Sequence, residues 1–175
     1  MIIVGIDPGL TGAIAIIGHR AELLQPVADM PVMQRGAGTA SVKHQVNASA
    51  LAELLHDWLA GFDLNEIRIF IEEAQSMPAV TRGKGGVIRV GQGGASIFSV
   101  GLTAGLIEGV VAARRYPHQL VRPGIWKKAL KLTATKEQSR AYASRLYPEA
   151  SLHRMKDHNR AEALLLAKYG HGLVA

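Results

Sequence analysis

The chain begins with two short apolar runs that a single turn separates. The first run, Ile2–Ile6, is rich in β-branched residues and ends at Asp7-Pro8-Gly9. The second run covers residues 12–17 and is broken by Gly18. Such runs on either side of a tight turn predict a buried β-hairpin, so the sheet starts antiparallel. Asp7 then lies at the carboxyl end of the first strand.

The rest of the chain alternates between predicted strands and helices. Residues 23–30 supply a third strand, and 31–46 are expected to be irregular. Helical spacing of apolar residues predicts a helix over 47–60, capped by Asn47. The later predicted elements are a strand at 67–71, a helix over 96–113, a strand at 120–121, and helices over 136–147 and 159–169. This order predicts one α/β domain over residues 1–175.

Two acidic residues follow predicted strands. Asp7 ends the first strand, and Glu72-Glu73 ends the strand at 67–71. If these strands are neighbours, the carboxylates converge at one edge of the sheet, where ligands of α/β folds bind. Converging carboxylates hold Mg²⁺, and two such ions can activate water and stabilise the leaving oxygen of a phosphodiester. Asp before Pro-Gly is also a common turn former, and these residues alone do not separate Glu72 from Glu73.

A third acidic residue, Glu162, starts the apolar face of the last predicted helix. It is either an amino-terminal carboxylate that the helix dipole favours or a further member of the cluster. His158 is four residues earlier and shares its face. Asp157 lies about 140° away on an ideal helix, so it joins Glu162 only from a cap position.

Charge and composition limit the class of protein. Lys and Arg exceed Asp and Glu by 20 − 14 = 6, which favours a polyanionic partner such as nucleic acid. The absence of cysteine excludes disulfides, thiolate zinc sites and cysteine nucleophiles. No apolar run approaches the roughly 20 residues that span a bilayer. We therefore expect a cytoplasmic chain with no membrane partner.

In these acidic residues and the motifs around them, the chain resembles the RuvC-like Holliday-junction resolvases of the RNase H-like superfamily. It is most similar to the short members found in phages and prophages. The motifs that carry the resemblance are spread over most of the chain in family order. They are Val4-Gly5-Ile6-Asp7-Pro8-Gly9-Leu10-Thr11-Gly12, Ile71-Glu72-Glu73-Ala74, the stretch 96–101 with Gly105 and Glu108-Gly109, Pro123-Gly124-Ile125-Trp126-Lys127, and Arg160-Ala161-Glu162-Ala163-Leu164-Leu165.

The resemblance implies an RNase H-like α/β fold with a five-stranded mixed sheet flanked by helices. It also implies a homodimer, in which each subunit nicks one strand of a four-way DNA junction with Mg²⁺ or Mn²⁺. Four acidic or metal-binding positions are expected: Asp7 first, Glu72 rather than Glu73 second, and Glu162 last. The remaining position falls to either Asp157 or His158. The setting would be a bacterial or phage-infected host cell, in DNA recombination, repair or phage DNA processing.

Basic residues between the acidic segments are expected to contact phosphates of the junction. The resemblance supports Lys127 and Lys136 most. The other expected contacts are Arg122, Lys128 and Arg140, together with Arg82 and Lys84 of a glycine-rich, mobile basic loop at 82–94. Several of these side chains could equally be ordinary surface charges.

Two aromatic side chains and one helix have alternative interpretations. Phe98 and Trp126 are both expected in the core rather than against DNA. Gly101 and Gly105 permit close backbone approach, either in a dimer contact or against the chain's own sheet.

Other functions also fit parts of this pattern. Residues 7–12 resemble the first phosphate loop of actin-like ATPases and sugar kinases, but those proteins need a second domain and 175 residues are too few. An RNase H-like nuclease that acts on RNA, or a non-catalytic protein that binds branched DNA, would share the same fold. The three carboxylates argue against a site without catalytic activity.

Overall fold

The computed structural model describes residues 1–18, 27–35, 43–75, 79–83, 86–90, 94–133 and 135–174. Of residues 43, 79–83, 86–90 and 95, only the backbone is described. The strands in these ranges are β1 (Ile2–Asp7), β2 (Ala13–Gly18), β3 (Val27–Asp29), β4 (Val32–Arg35), β5 (Lys43–Val46), β6 (Ile67–Glu72), β7 (Ala79–Gly83), β8 (Gly86–Val90) and β9 (His118–Val121). The α-helices are α1 (Ala48–Leu59), α2 (Gly94–Ala113), α3 (Pro123–Ala129), α4 (Lys136–Leu146) and α5 (His158–Val174).

Five of the strands form one mixed sheet in the order β3-β2-β1-β6-β9. β1 pairs antiparallel with β2, as the predicted hairpin requires, and parallel with β6. β6 in turn pairs parallel with β9. The expected five-stranded mixed sheet with flanking helices is therefore confirmed.

β1 lies in the centre of the sheet and is buried on both faces, because its successive residues pack on opposite sides. Ile2, Val4 and Ile6 pack into a core with α1 and α2, whereas Ile3 packs with α5 on the other face. This alternation is the period-two geometry of a strand. It explains why β1 is a continuous apolar run rather than an alternating pattern.

Helix α5 lies directly against β1, and Gly5 makes this possible. A Cβ atom at Gly5 would overlap the backbone carbonyl oxygen of Ala163 and crowd the backbone nitrogen of Ala167. The absence of a side chain therefore lets the helix backbone approach the strand two residues before Asp7. This contact brings Glu162, next to Ala163, toward the carboxyl end of β1.

Several predictions about elements were wrong. Residues 31–46 are not irregular throughout, because β4 and β5 pair as a two-stranded sheet. The expected loop at 82–94 is in part a hairpin, since β7 pairs with β8. Helix α3 follows β9 where no helix was expected. The predicted strand at 23–30 is described only from residue 27, where β3 begins.

Helix α2 is apolar but covers little of the chain's own core. Of its described side chains, Ile107 and Val111 are buried. Phe98 is 62% exposed, so its predicted place in the core was wrong. Within α2, the 18 residues Ser96–Ala113 are long and apolar enough to cross a membrane by length and composition alone. The expectation that no apolar run approaches the length of a membrane span was therefore wrong. Core helices of soluble proteins pass the same test of length and composition.

Candidate active site at the carboxyl ends of β1 and β6

The sheet places Asp7 and Glu72 at the same edge. β1 and β6 are parallel neighbours, and Ile6 of one pairs with Ile71 of the other. The next residue of each strand is therefore one of the two carboxylates. Beyond Asp7 the chain turns at once, and Gly9 has a φ of +143°, which favours glycine.

Asp7 is buried beside two other acidic side chains. Burial is the largest effect on its pKa, and it raises the pKa well above the ordinary value. The negative charges of Glu72 and Glu162 raise it further, whereas Lys127 and Lys136 oppose them. All three predicted carboxylates thus act on one another at one place.

Glu72 and Glu73 are separated by the pleat of the strand. The Trp126 indole Nε1–H donates to Glu72 Oε2 at 2.8 Å, and Arg122 Nε donates to Glu73 Oε2 at 2.9 Å. Burial raises the pKa of Glu72, the Trp126 hydrogen bond lowers it, and the charge of Glu162 raises it again. Glu72 is therefore the residue that faces the acidic cluster, and Glu73 pairs outside it.

Glu162 joins this cluster from α5 and is only 8% exposed. Lys127 of α3 donates from Nζ to Glu162 Oε1 at 2.7 Å. The same lysine also acts electrostatically on Asp7 and Glu72. One ammonium group therefore partly neutralises three carboxylates.

The donor set fits an oxygen-preferring divalent cation. The carboxylates of Asp7, Glu72 and Glu162, the last of them buried, repel one another. Mg²⁺ prefers carboxylate oxygens, so a bound ion would offset that repulsion. In the described part of the chain, no three acidic or histidine side chains lie close enough to form a complete metal-binding group as they stand. Because Lys127 already pairs with Glu162, the site resembles one in which a cationic side chain stands in for the ion.

The fourth position has two candidates, and the structure places them differently. Asp157 is 1% exposed, and Arg154 binds both of its carboxylate oxygens, with Nη2 at 2.7 Å from Oδ1. Its hydrogen bonds to Arg154 lower its pKa. This carboxylate therefore pairs with Arg154, whose backbone N–H it also accepts at the start of the 3₁₀ helix Met155–Asp157.

His158 is connected to the cluster through a lysine. Its Nε2 lies 2.9 Å from Nζ of Lys136, and its Nδ1 lies 3.0 Å from the carbonyl oxygen of Met155. An ammonium group only donates and a carbonyl only accepts, so Nδ1 carries the proton and Nε2 is the acceptor. Lys136 also acts on Asp7. His158 thus directs the lone pair of Nε2 at the lysine that acts on Asp7.

The expected DNA-binding residues are only partly gathered together. Lys127 and Lys136 lie at the acidic cluster, and Lys128 is exposed on α3. Arg122 pairs with Glu73, and Arg140 Nη1 donates to the carbonyl oxygens of Leu152 and His153 at 3.3 Å. The Arg82 side chain and all of Lys84 lie outside the described part of the chain.

Sequence reasoning missed one pocket beside the cluster. It is lined by Lys136, Glu137, Arg140, Met155, Lys156 and His158. Lys156 and the exposed Met155 belong to a short 3₁₀ helix, Met155–Asp157, directly before α5. The sequence shows that Lys156 is charged. It does not show that its side chain lines this pocket, because that depends on the conformation of the short 3₁₀ helix.

Comparison with known proteins relates this fold to two solved structures. One is Thermus thermophilus RuvC in complex with a Holliday junction substrate, and the match covers 99% of this chain and 94% of that chain. The TM-score of this match is 0.61 and the sequence identity is 15%. A second structure, of Thermus thermophilus RuvC, matches with a TM-score of 0.51 and 16% identity, covering 99% of this chain and 97% of the other. No protein-family model matches the sequence, and no curated protein matches it either. At this identity the likeness concerns the fold, which is RuvC-like and RNase H-like.

Proposed function

We propose that this chain is a metal-dependent endonuclease that cleaves four-way DNA junctions. The observation that carries the proposal is the cluster of Asp7, Glu72 and Glu162, whose charges act on one another at the carboxyl ends of β1 and β6. The RuvC-like fold supports it, since one structure with that fold was solved with a Holliday junction substrate. The proposal includes a single nuclease domain of the phage or prophage type, acting in recombination, repair or phage DNA processing.

Each side chain has a role in this proposal. Asp7, Glu72 and Glu162 would hold Mg²⁺, or Mn²⁺ in its place, and bound ions would supply an activated water and charge neutralisation at the phosphodiester. Lys127 and Lys136 keep the cluster partly neutral and bind the DNA phosphate that approaches it. His158 offers Nε2 to a proton or to a cation once Lys136 turns toward DNA. Asp157 has a structural role, since Arg154 binds it across the 3₁₀ helix that precedes α5.

The proposed dimer rests on α2. Its exposed apolar side chains include Ile97, Phe98 and Leu102. Gly101 and Gly105 have open space above them, so a second helix could approach closely. Two copies joined here would place two active sites on one junction, as paired nicking requires.

Sedimentation of Phe98→Glu should show a monomer where the wild type is a dimer, because the substitution puts a charge into the proposed contact. A wild type that sediments as a monomer would contradict this contact.

The test is an incubation of the purified chain with Mg²⁺ and a synthetic four-way junction. Linear duplex, single strands and an RNA/DNA hybrid of the same sequence serve as parallel substrates. We expect symmetric paired nicks in the junction and little cleavage of the other substrates. Preferential cleavage of the hybrid would instead support an RNase H-like nuclease. Tight junction binding without any cleavage would support a non-catalytic binding protein.

A further inference from the structure

Trp126 is a buried aromatic residue whose polar atom touches the acidic cluster. It is 0% exposed and is the buried residue of α3, a seven-residue helix whose other side chains are partly or fully exposed. Its ring packs in the core that α5 shares with the sheet. Trp126 therefore attaches α3, and with it Lys127, to the body of the protein.

The indole N–H of Trp126 finds its acceptor in a carboxylate at the site. A buried N–H without an acceptor is costly, so its partner is a constraint on the structure. The partner is Glu72 Oε2, at 2.8 Å. The sheet brings the two together, because Glu72 pairs with Val121, and β9 leads directly into α3 after Val121.

The same ring also lies under the lysine of the site. Nζ of Lys127 is 5.0 Å from the centre of the Trp126 ring, within the range of a cation–π contact. That ammonium group donates to Glu162. One aromatic side chain is thus in contact with a carboxylate from β6 and with the cation that binds the carboxylate from α5.

We propose that Trp126 is a positioning residue that fixes the orientation of Glu72 for a divalent cation, a role that rests on the nuclease function proposed above. One oxygen of Glu72 is held by the indole N–H, and the other is left for the ion. Carboxylates that bind metals are commonly held by a hydrogen bond from behind, and loss of such a partner typically lowers metal affinity by about 10- to 100-fold.

Packing alone is the competing explanation, and the second tryptophan separates the two. Trp58 of α1 is also buried, at 8% exposure, but it belongs to the core on the other face of the sheet. Trp126→Phe and Trp58→Phe therefore make the same change of ring size, and only the first removes the hydrogen bond to Glu72. Thermal unfolding of both variants measures the packing loss.

The experiment measures Mn²⁺ binding to the DNA-free protein by calorimetry, with Mg²⁺-dependent junction cleavage beside it. Trp126→Phe should raise the dissociation constant about 10- to 100-fold, whereas Trp58→Phe should leave it near the wild-type value. Equal metal affinity in both variants would overturn the positioning role and leave the nuclease function intact. A wild type that neither binds the metal nor cleaves would overturn the proposed function itself.

A second variant covers the case in which Trp126→Phe does not fold. In Trp58→Phe, Trp126 is the only tryptophan, so feeding benzothienylalanine replaces its N–H by sulfur with little change of shape. The ring, its packing and the contact with Lys127 are kept. Weakened Mn²⁺ binding in this protein supports positioning through the N–H; unchanged binding contradicts it.

Discussion

Asp7 is a buried carboxyl group that faces two other carboxylates, and this environment has a measurable cost. Because its pKa is raised in the folded chain, the folded state binds this proton more tightly than the unfolded state does. Stability is therefore gained as the pH falls through the raised pKa toward the unfolded value near 3.8, and the ionised group costs stability at neutral pH.

Asp7→Asn removes that cost while keeping the size of the side chain. Without divalent ions at neutral pH, we expect a melting temperature about 2–4 °C higher than that of the wild type, the shift that ~1 kcal/mol gives in a chain of this size. The difference should shrink as the pH is lowered toward about 4, where the wild-type group takes up its proton. Circular dichroism melts with a chelator present measure both effects.

The same variant tests the site directly. Under the proposed function, Asp7→Asn should lose junction cleavage yet retain junction binding, because it removes a proposed metal ligand and one negative charge but no basic side chain. A variant that cleaved at the wild-type rate would show that Asp7 is not part of the catalytic site.

Asp157 and His158 are adjacent in sequence, but they have different surroundings, so their substitutions should differ in kind. Asp157→Ala removes the acceptor of the Arg154 backbone N–H and of its side chain, and should lower the melting temperature. Cleavage well below its melting temperature should stay near that of the wild type. His158→Ala should change stability by roughly 0.5 kcal/mol or less and lower the cleavage rate by about 10²-fold.

Melting temperature and single-turnover cleavage of the two variants separate these roles. The reverse pattern, with activity lost in Asp157→Ala at unchanged stability, would return the fourth position to Asp157. The sequence left the fourth position open between Asp157 and His158, because the surroundings of Asp157 depend on its contact with Arg154. The contact between an arginine and a carboxylate three residues later depends on the 3₁₀ helix before α5, which no apolar periodicity reveals.

At the scale of elements, the contact between β1 and α5 determines the geometry of the site. Gly5→Ala would place a methyl group against the backbone of Ala163 and Ala167, and neither backbone can turn aside as a side chain can. We expect a loss of about 1–3 kcal/mol, the usual cost of overpacking. Cleavage should fall further than stability explains, because α5 carries Glu162.

Gly172→Ala is the matched control, since it lies on the same helix with open space around it. It should be neutral or stabilising by up to about 1 kcal/mol, as alanine favours helices over glycine. Urea unfolding and cleavage rates of the two variants give the comparison. If both variants behaved alike, the close approach at Gly5 would not determine the position of α5.

The elements that sequence reasoning found are those with strong apolar patterns, continuous or nearly so in β1 and β6 and at helical spacing in α1. Asn47 also caps α1 by accepting from the backbone of Ala50. The pair β4 and β5 was missed because its described side chains are mostly exposed and its residues mostly polar. Helix α3 was missed because seven residues with one buried side chain have no detectable period.

Phe98 shows a different limit of the sequence argument. An apolar residue at helical spacing predicts a helix and burial, and Phe98 does lie in a helix of mostly apolar residues. However, α2 is apolar on nearly every side, whereas the chain's own sheet covers only the face that holds Ile107 and Val111. Sequence indicates that a residue is apolar, but only the packing of the whole chain shows which faces its own elements cover.

At the scale of the whole molecule, the net positive charge contrasts with the acidic cluster at the edge of the sheet. The chain carries a formal net charge of +6, yet its buried edge gathers three carboxylates. Lys127 is engaged with Glu162, and Arg122 and Arg140 have partners within the chain. Lys136, by contrast, is exposed and bound only to a neutral histidine in the described part of the chain. It is therefore the cation of the site most readily available to a phosphate.

Lys136→Gln should consequently weaken junction binding in a salt-dependent way. In an Asp7→Asn background, which prevents cleavage, the slope of log Kd against log salt concentration should fall by about 0.9 for the loss of one phosphate contact. Lys168→Gln is the control, because Lys168 lies about 15 Å further along α5 than His158 by helix rise alone. Its slope should match that of the parent protein. Fluorescence anisotropy with a labelled junction over a range of salt concentrations measures both slopes, and equal slopes would place the phosphate contact elsewhere.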